Sequence, residues 1–367
     1  MEMHIEKSSM VSALKLIAHI QDETNVRPVS VTRLDSDQAE MAFLSASSGV
    51  YFRLQADFTN WPEGESVLLP RKQALSFVKA SEDADISLRG EQDTIRLLMG
   101  RSRLSVQMIS AETFPHMILN GEKFGWLMSP VELTSALEFI KSAFPKDTEQ
   151  KMPVYLEARE DGAHIYTTDG KVLFHGIAAI QGEMPENPLL LPQANAFFLL
   201  SMLKGIREDI RVEAGDNMMS FATEEVTYYT SYIAEGKKIP WEKFLSASTE
   251  EVCSLGSGGL AAAAEMGAAM DAKASALDVG VGANEIRCST RHLNGESMGG
   301  ADARVYQDAR FMVNAQAFTG HAKATSKLAG QEAQVNVSLV HGASAQPIRL
   351  DADIAGRPTL IMAPYNQ

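Results

Sequence analysis

The sequence predicts an α+β protein built from three similar domains, each with two helices packed on antiparallel sheets. One reason is a strand, proline, helix unit in residues 189–205, where Ala196, Leu199, Leu200 and Leu203 have the i, i+3, i+4, i+7 spacing of an apolar helix face. A second is that this unit recurs at intervals of roughly 60 residues. A third is that strand-like runs separated by turn residues fill the intervals.

The recurring unit is found in each third of the chain. Ser129 begins one copy with an S-x-x-E capping box, and Pro130 takes the first helical position. The six predicted helical units lie at residues 13–20, 68–80, 129–141, 189–205, 259–270 and 314–323. Two units in each third predict domains at residues 1–122, 123–246 and 247–367.

Strands are predicted between these helices. A Ser-Ser-Gly sequence at residues 47–49 separates two of them and is typical of a hairpin turn. The predicted strands are 40–46, 50–56, 85–89, 94–99, 104–109, 162–168, 171–175, 210–214, 226–232 and 360–362.

Length and composition agree with a folded, multidomain chain. Its 367 residues suit two or three domains, and 45% hydrophobic with 22% charged residues is typical of soluble proteins. The sequence shows neither a leader peptide nor an apolar run of ~18 residues, so we expect a cytoplasmic protein without a membrane span. Cys253 and Cys288 are the only cysteines and are expected to be reduced thiols.

The net charge of −14 argues against a protein that binds nucleic acid with its whole surface. Basic residues are nevertheless frequent on the predicted helices and their flanks, whereas acidic residues concentrate in the predicted turns. Lysines near helix C-termini stabilise the helix dipole in any protein. Two interpretations therefore stay open, a basic helical surface that faces phosphates or ordinary solvated helix ends.

Several short motifs are more specific than these patterns. They are Arg27-Pro28, Gly100-Arg-Ser-Arg-Leu-Ser-Val followed by Glu112-Thr-Phe-Pro115, Thr167-Thr-Asp-Gly170, and Gly236-Lys-Lys-Ile-Pro240. Together they resemble the bacterial sliding clamp family, the beta subunit of DNA polymerase III. The similarity extends over the full length in domain order, and it is most specific in the first two domains.

This resemblance implies three DNA-clamp domains that form a half ring in each chain. Two copies joined head to tail as a homodimer would close a ring around duplex DNA without reading its sequence. Implied partners are the replicative DNA polymerase, an ATP-driven clamp loader and other proteins with clamp-binding motifs. The resemblance implies a non-catalytic accessory subunit with no cofactor, no metal and no membrane association.

Three groups of site residues follow. By position in the family, Arg27 and Gln150 match residues that touch DNA, and helix placement adds Lys72, Lys79, Lys141, Lys204 and Lys323. The implied dimer contacts are Leu104, Ala269 and Met270. The implied peptide-binding cleft for partners comprises Leu156, Thr168, Gly170, Lys171, Val172, Leu173, Pro240, Asn314, Ile361 and Met362.

The cleft departs from the family pattern. Lys171 and Val172 stand where the family commonly has His-Arg, Pro153 replaces an arginine, and the C-terminus after Met362 is altered. We therefore expect partner motifs that differ from the usual ones. Leu156, Leu173 and Ile361 could instead be ordinary core residues.

Other functions are less well supported by the residues. Asp169 with His175, or Glu138 with Lys141, could act as acid and base, but nothing in the sequence orients either pair. The sequence has no H-E-x-x-H and no G-x-x-x-x-G-K-[ST] motif, which argues against a zinc site and against ATP hydrolysis. The main alternative is a clamp-fold scaffold or decoy that binds proteins and does not load on DNA.

Overall fold

A computed structural model of the chain describes residues 1–20, 27–80, 85–91, 93–107, 114–144, 152–233, 239–269, 276–292, 295–341 and 346–364. These residues contain seven helices and 26 strands, and the paired strands run antiparallel. The α+β prediction is therefore confirmed.

The helices lie where the repeated unit predicts them, with one addition. The Ser129 side chain accepts a hydrogen bond from the Glu132 amide, as the capping box predicts, and the Asn314 side chain caps a later helix in the same way. The addition is a single turn, α5, which is too short to show a helical period. The helices are α1 (Lys7–Ile17), α2 (Arg71–Ala80), α3 (Pro130–Ala143), α4 (Gln193–Met202), α5 (Glu242–Leu245), α6 (Ser257–Gly267) and α7 (Ala315–Ala329).

The strands divide between two compact units of the chain, Met1–Leu127 with Asp209–Tyr232, and Met128–Glu208 with Ile233–Gln367. Strands of the first unit are β1 (Glu2–Glu6), β2 (Val29–Arg33), β3 (Gln38–Leu44), β4 (Ser48–Thr59), β5 (Ser66–Leu69), β6 (Asp85–Glu91), β7 (Thr94–Met99), β8 (Ser102–Gln107), β9 (Phe124–Met128, which ends at the boundary), β15 (Ile210–Ala214), β16 (Met218–Ala222) and β17 (Val226–Ser231).

The second unit holds the remaining strands. They are β10 (Val154–Arg159), β11 (Gly162–Thr168), β12 (Val172–Ala178), β13 (Ile180–Gly182), β14 (Leu189–Leu191), β18 (Thr249–Gly256), β19 (Ala276–Gly282), β20 (Glu285–His292), β21 (Gly295–Asp302), β22 (Arg304–Val305), β23 (Ala309–Asn314), β24 (Gln334–Val340), β25 (Ile348–Ala352) and β26 (Thr359–Met362).

In the first unit the strands follow the order β9-β15-β16-β17-β4-β1-β6-β7-β8. Strand β4 also pairs with β3, which begins a branch in the order β3-β2-β5. Helices α1 and α2 pack together, and their apolar sides, including Leu14 and Val78, are fully buried. Strand β17 pairs with β4, for example Val226 with Phe52. This backbone pairing joins residues 209–232 to the first unit, although the sequence places them in the predicted middle domain.

In the second unit a nine-stranded sheet has the order β14-β10-β11-β12-β26-β25-β24-β18-β22, and a four-stranded sheet has the order β21-β20-β19-β23. Helix α3 covers one face of the larger sheet, where Phe139 stacks on Phe174 with ring centroids 5.9 Å apart. Helix α7 packs on α3 so closely that a Cβ atom at Gly320 would clash with the Ser142 carbonyl oxygen.

The two cysteines lie in the core of the second unit as free thiols. Burial raises the pKa of Cys253 and of Cys288 to about 12, so neither is a reactive thiolate at neutral pH. None of the helices in the described part of the chain combines the length and the apolar character needed to cross a bilayer.

Candidate functional site

The nine-stranded sheet has two different faces, because successive residues of a strand point to opposite sides. Phe174 points to α3, and its neighbour His175 points away. Residues paired with His175 share its side, so Tyr166 and Tyr155 lie there as well. We call the side of Phe174 the helix-covered face and the side of His175 the aromatic face.

This alternation separates the residues predicted to form the cleft. Thr168 pairs with Leu173, and Leu173 pairs with Ile361, which places all three on the aromatic face. A second group, Leu156, Val172 and Met362, lies on the helix-covered face, where these residues are 0%, 2% and 0% exposed. The structure therefore brings together only part of the predicted set.

The Thr-Asp-Gly motif forms the turn that joins β11 to β12. The Asp169 side chain accepts hydrogen bonds from the amides of Lys171 and Val172 at 2.8 and 2.7 Å, and the Thr168 hydroxyl donates to the Val172 carbonyl at 2.7 Å. Gly170 takes a φ of 86°, which a residue with a side chain adopts only with strain. The motif thus fixes an exposed turn beside Leu173.

An apolar cluster occupies the aromatic face next to this turn. Its buried members are Tyr166, Leu173, Trp241 and Ile361, and the partly buried Tyr155, Ile239 and Leu245 pack against them. Tyr155 stacks on Tyr166 with centroids 4.8 Å apart. Five of these seven residues are absent from the sequence prediction. The alternation in β10 and β11 could have indicated Tyr155 and Tyr166, whereas nothing local indicates that Trp241 packs on this sheet.

Two further predicted cleft residues have distinct positions. Pro240 is exposed and directly precedes Trp241 in the segment that reaches the cluster. Asn314 is the N-cap of α7, where its side-chain oxygen accepts from the Ala317 amide at 2.9 Å. Its position at the end of β23 places it on a different element from the cluster.

A polar network that contains two buried histidines lies against Trp241. His164 Nδ1 is 2.8 Å from His175 Nε2, and His164 Nε2 is 2.6 Å from the Asp161 carboxylate. Burial, and then the charge of neighbouring His164, lower the pKa of His175 to about 3, so it is neutral at physiological pH. The hydrogen bond from His164 lowers the pKa of Asp161. Asp169 and His175, considered above as an acid and a base, therefore have separate partners. His175 pairs with His164, whereas Asp169 accepts hydrogen bonds within the β11–β12 turn.

Glu138, the other residue considered as an acid, lies on α3 and is 7% exposed. Its carboxylate accepts from the Lys327 ammonium of α7 at 2.8 Å. The pair therefore links two helices. Among the residues that the structure describes, no group of three or more His, Cys, Asp or Glu side chains is arranged to hold a metal ion.

The basic residues predicted to touch DNA lie in both units. In the first unit, Lys72 and Lys79 are exposed and seven residues apart on α2, which places them on one side of the helix. Arg27 is exposed, and its Nη1 atom donates to the Leu44 carbonyl at 3.4 Å.

In the second unit the predicted basic residues differ in exposure. Lys141 is half-buried in the last turn of α3, and Lys204 is exposed after α4. Lys323 is exposed on α7 and forms an ion pair with Glu265 of α6. Gln150 lies outside the described residues.

One of the three predicted dimer contacts, Leu104, lies at a sheet edge. Leu104 is half-buried on β8, the terminal strand of the first unit's sheet, and the exposed Arg103 lies beside it. In the second unit, β21 is the terminal strand of the four-stranded sheet and carries the exposed Glu296 and Asp302. Ala269 is exposed after α6, and Met270 lies outside the described residues.

Comparison with solved structures shows which fold the chain has. The chain is similar over 100% of its length to the beta chain of DNA polymerase III from Streptococcus pneumoniae, of which it also covers 100%, with a TM-score of 0.82 and 13% identity. It is similar in the same way to the Helicobacter pylori beta clamp bound to a DNA ligase peptide, covering 100% of both chains, with a TM-score of 0.79 and 14% identity. The chain therefore has the fold of the bacterial DNA polymerase clamps.

Sequence comparison finds similarity to the same group of proteins. Residues 1–118 match the N-terminal domain of the DNA polymerase III beta subunit. A beta sliding clamp from Haemophilus influenzae is 18% identical over 256 residues, which are 69% of this chain and 70% of that relative. The resemblance to the bacterial beta sliding clamp is therefore confirmed, at low sequence identity.

Proposed function

We propose that this protein is a sliding clamp and polymerase processivity factor, which encircles duplex DNA as a ring-shaped homodimer and tethers partners through a cleft on the aromatic face. The observation that carries the proposal is the similarity of the whole chain to bacterial clamps, at TM-scores of 0.79 to 0.82. In this role the chain is a non-catalytic, cytoplasmic subunit. Its domains are those predicted at residues 1–122, 123–246 and 247–367.

Two strands that are terminal in the described sheets, β8 and β21, support the homodimer. A terminal strand presents unpaired backbone groups that can continue the sheet of another molecule. Arginines lie at the β8 edge and carboxylates at the β21 edge, where Glu296 also pairs with Arg291 of β20. β8 of one copy and β21 of a second copy are therefore complementary in charge mainly through Asp302. Leu104, Ala269 and Met270 belong to the same proposed contact.

The Arg101→Glu, Arg103→Glu double variant tests this contact. We expect it to shift the protein from dimer to monomer in light scattering, because it opposes like charges at the joined edges. Arg211→Glu is the matched control, since Arg211 is 70% exposed on β15, a strand with neighbours on both sides. A double variant that stays dimeric would refute the edge assignment.

The helices supply the proposed DNA surface. Lys72, Lys79 and Lys204 are exposed, and with Arg27, Gln150, Lys141 and Lys323 they would screen phosphates without reading bases. With no nucleotide-binding motif in the sequence, loading would depend on a separate ATP-driven loader.

The decisive test is topological. The protein is loaded on nicked circular DNA with a clamp loader, and the DNA is then linearised. A closed ring should stay on the circle and slide off the linear form. We further expect Lys72→Glu, Lys79→Glu and Lys204→Glu together to slow clamp-dependent synthesis, and normal synthesis by this triple variant would contradict the DNA-facing assignment.

The peptide cleft rests on the apolar cluster beside the Thr-Asp-Gly turn. The partly buried Tyr155, Ile239 and Leu245 surround Leu173 and Ile361, with Thr168, Gly170, Lys171 and Pro240 as polar or exposed neighbours. Such an apolar floor with a few polar groups is suited to a short peptide. The structure of the Helicobacter pylori clamp with a DNA ligase peptide supports the inference that the replicative polymerase and other proteins insert such segments here.

A second candidate is a clamp-fold scaffold that binds proteins without loading on DNA. Lys323 and Lys327 are paired with carboxylates of neighbouring helices, which reduces their net attraction for phosphates, and α6 contains no basic residue. Failure to be retained on circular DNA, together with normal peptide binding, would favour this candidate over the first.

A further inference from the structure

Among residues 239–245, Trp241 is the one buried residue, and its indole lies on the histidine pair. It is 4% exposed, and its ring centroid is 4.7 Å from those of both His164 and His175. Its Nε1 atom donates to Glu157 Oε2 at 3.0 Å. The side chain is therefore fixed by ring contacts on one side and by a directional hydrogen bond on the other.

Glu157 is suited to anchor this indole. It is 2% exposed, and the same oxygen accepts from the Tyr166 hydroxyl at 3.0 Å, while Arg159 pairs with the other oxygen at 2.5 Å. A carboxylate withdrawn from water needs such compensation. An ionised carboxylate only accepts hydrogen bonds, so it matches an indole N–H, which only donates.

The same contacts hold the segment that follows. Arg159 also pairs with Glu242 of α5, and its guanidinium lies 5.5 Å from the Trp241 ring centroid. At the end of α5, the Leu245 carbonyl accepts from Arg349 Nη1 at 3.0 Å. Residues 239–245 are thus tied to the sheet at both ends, with Trp241 as the buried centre.

Residues 239–245 form one wall of the proposed cleft. Within this segment, Ile239 and Leu245 pack against the cluster that contains Leu173 and Ile361. We infer that Trp241 and Glu157 are positioning residues for peptide binding: the hydrogen bond between them fixes the wall, and thereby the width, of the cleft. This inference rests on the proposed function of the aromatic face. It predicts that loss of the Trp241–Glu157 hydrogen bond weakens peptide binding, although Glu157 itself does not contact the peptide.

The experiment uses the full-length protein with 5-fluorotryptophan in place of its three tryptophans. The position of Trp241 is followed by its fluorine resonance, which is assigned with Trp241→Phe. Affinity is measured with a fluorescein-labelled peptide of the DNA ligase segment that binds the Helicobacter pylori clamp. The oligomeric state is recorded by light scattering for every variant.

Glu157→Gln should shift the Trp241 resonance and weaken peptide binding about tenfold, since the amide oxygen that remains lacks the charge that strengthens the hydrogen bond from the indole. Trp241→Phe, which keeps a ring but loses the N–H, should weaken binding by a similar factor. The double variant should bind no more weakly than the weaker single variant, because both changes remove one interaction. Glu250→Gln is the control, as Glu250 is half exposed on β18 of the same sheet.

The outcomes separate the two levels of the proposal. If the unmodified protein binds neither this peptide nor the replicative polymerase of its own cell, the cleft assignment fails and this inference fails with it. Binding of the polymerase alone would agree with the altered partner motif expected from the sequence, and the variants are then compared with the polymerase as the partner. If the unmodified protein binds and Glu157→Gln moves the Trp241 resonance but not the affinity, only the positioning role is overturned. Additive losses in the double variant would likewise overturn it, since they would show two independent effects.

Discussion

The two faces of the nine-stranded sheet are built from the same strands but differ in chemistry. On the helix-covered face, Leu156, Phe174 and Met362 are apolar and pack under α3. On the aromatic face, His164 and His175 lie in a network of hydrogen bonds under Trp241. One face therefore contributes stability through packing, whereas the other orders polar groups at the surface where we propose that peptides bind.

This difference teaches that adjacent residues of one strand can serve separate purposes. Leu173 and Phe174 are neighbours in sequence and both are buried, yet Leu173 lies in the proposed cleft and Phe174 in the core. Burial alone does not distinguish them. The register of the strands does, and substitutions at the two positions should have opposite patterns of effect.

The largest effect is expected on the helix-covered face. Phe174→Ala should lower the free energy of unfolding by about 3–5 kcal/mol, because it leaves a cavity under Phe139. Leu173→Ala should cost less stability but should weaken peptide binding more. Chemical denaturation and peptide titration of both variants test this, and equal loss of affinity in the two would contradict the division of the sheet.

The contact between α3 and α7 should be nearly as sensitive. Gly320→Ala places a methyl group against the Ser142 carbonyl oxygen, so we expect a loss of about 1–3 kcal/mol in the free energy of unfolding. Gly280→Ala is the matched control, since a Cβ atom there meets nothing within 4 Å. Thermal denaturation of both variants would show whether close helix packing matters, and equal melting temperatures would exclude it.

A third prediction concerns pH. Among the described residues, neither ring nitrogen of His321 has a hydrogen-bonding partner, and complete burial lowers its pKa to about 3. The unfolded chain therefore binds a proton at this ring more readily than the folded protein does. The folded protein keeps its full stability above pH ~6.5, where the ring is neutral in both states, and loses stability as the pH falls towards 3. Between pH 7 and 5.5, the free energy of unfolding should fall by about 1 kcal/mol more in the unmodified protein than in His321→Phe. Urea titrations at both pH values measure this fall in the free energy of unfolding. An identical fall in the two proteins would refute the view that His321 is buried in its neutral form.

The smallest effects are expected for the lysine pairs between helices. Lys327→Met leaves the buried Glu138 carboxylate without this partner and should cost about 1 kcal/mol, whereas Lys323→Met breaks a pair in which both groups are half exposed and should cost less than about 0.5 kcal/mol. Chemical denaturation of both variants at low and at high salt measures these two losses in the free energy of unfolding. If Lys323→Met proved the more harmful, exposure would not be what determines the strength of these pairs.

Much of the fold could be predicted from local pattern. The bounds of β7, β11 and β15 agree with the predicted strands to the residue, since turn residues flank each run. Helix α7 continues to Ala329, beyond the predicted end at residue 323, and stops before Gly330, which has a φ of 90°. In the last third only the strand at residues 360–362 is predicted, and it corresponds to β26, because the other runs there contain many small residues with weak apolar contrast.

The site could be predicted only in part, because its residues come from distant segments. The Thr-Asp-Gly turn is local, and the sequence reveals it. The place of Trp241 depends on Glu157 and on the histidine pair, which lie more than 60 residues earlier in the chain, so no short motif records it. Likewise, the separation of Leu156 from Leu173 depends on strand register, which apolar content alone does not specify.

The long strand β4 has a consequence for synthesis on the ribosome. Its first half pairs with β17 and its second half with β1. Residues 48–52 therefore have no β17 partner along one edge until residues 226–230 have been synthesised. At about 5–20 residues per second, the roughly 170 intervening residues take about 10–30 s to be made. During that interval the nascent chain carries an open strand edge, and a chaperone that shields it should raise the yield of native protein.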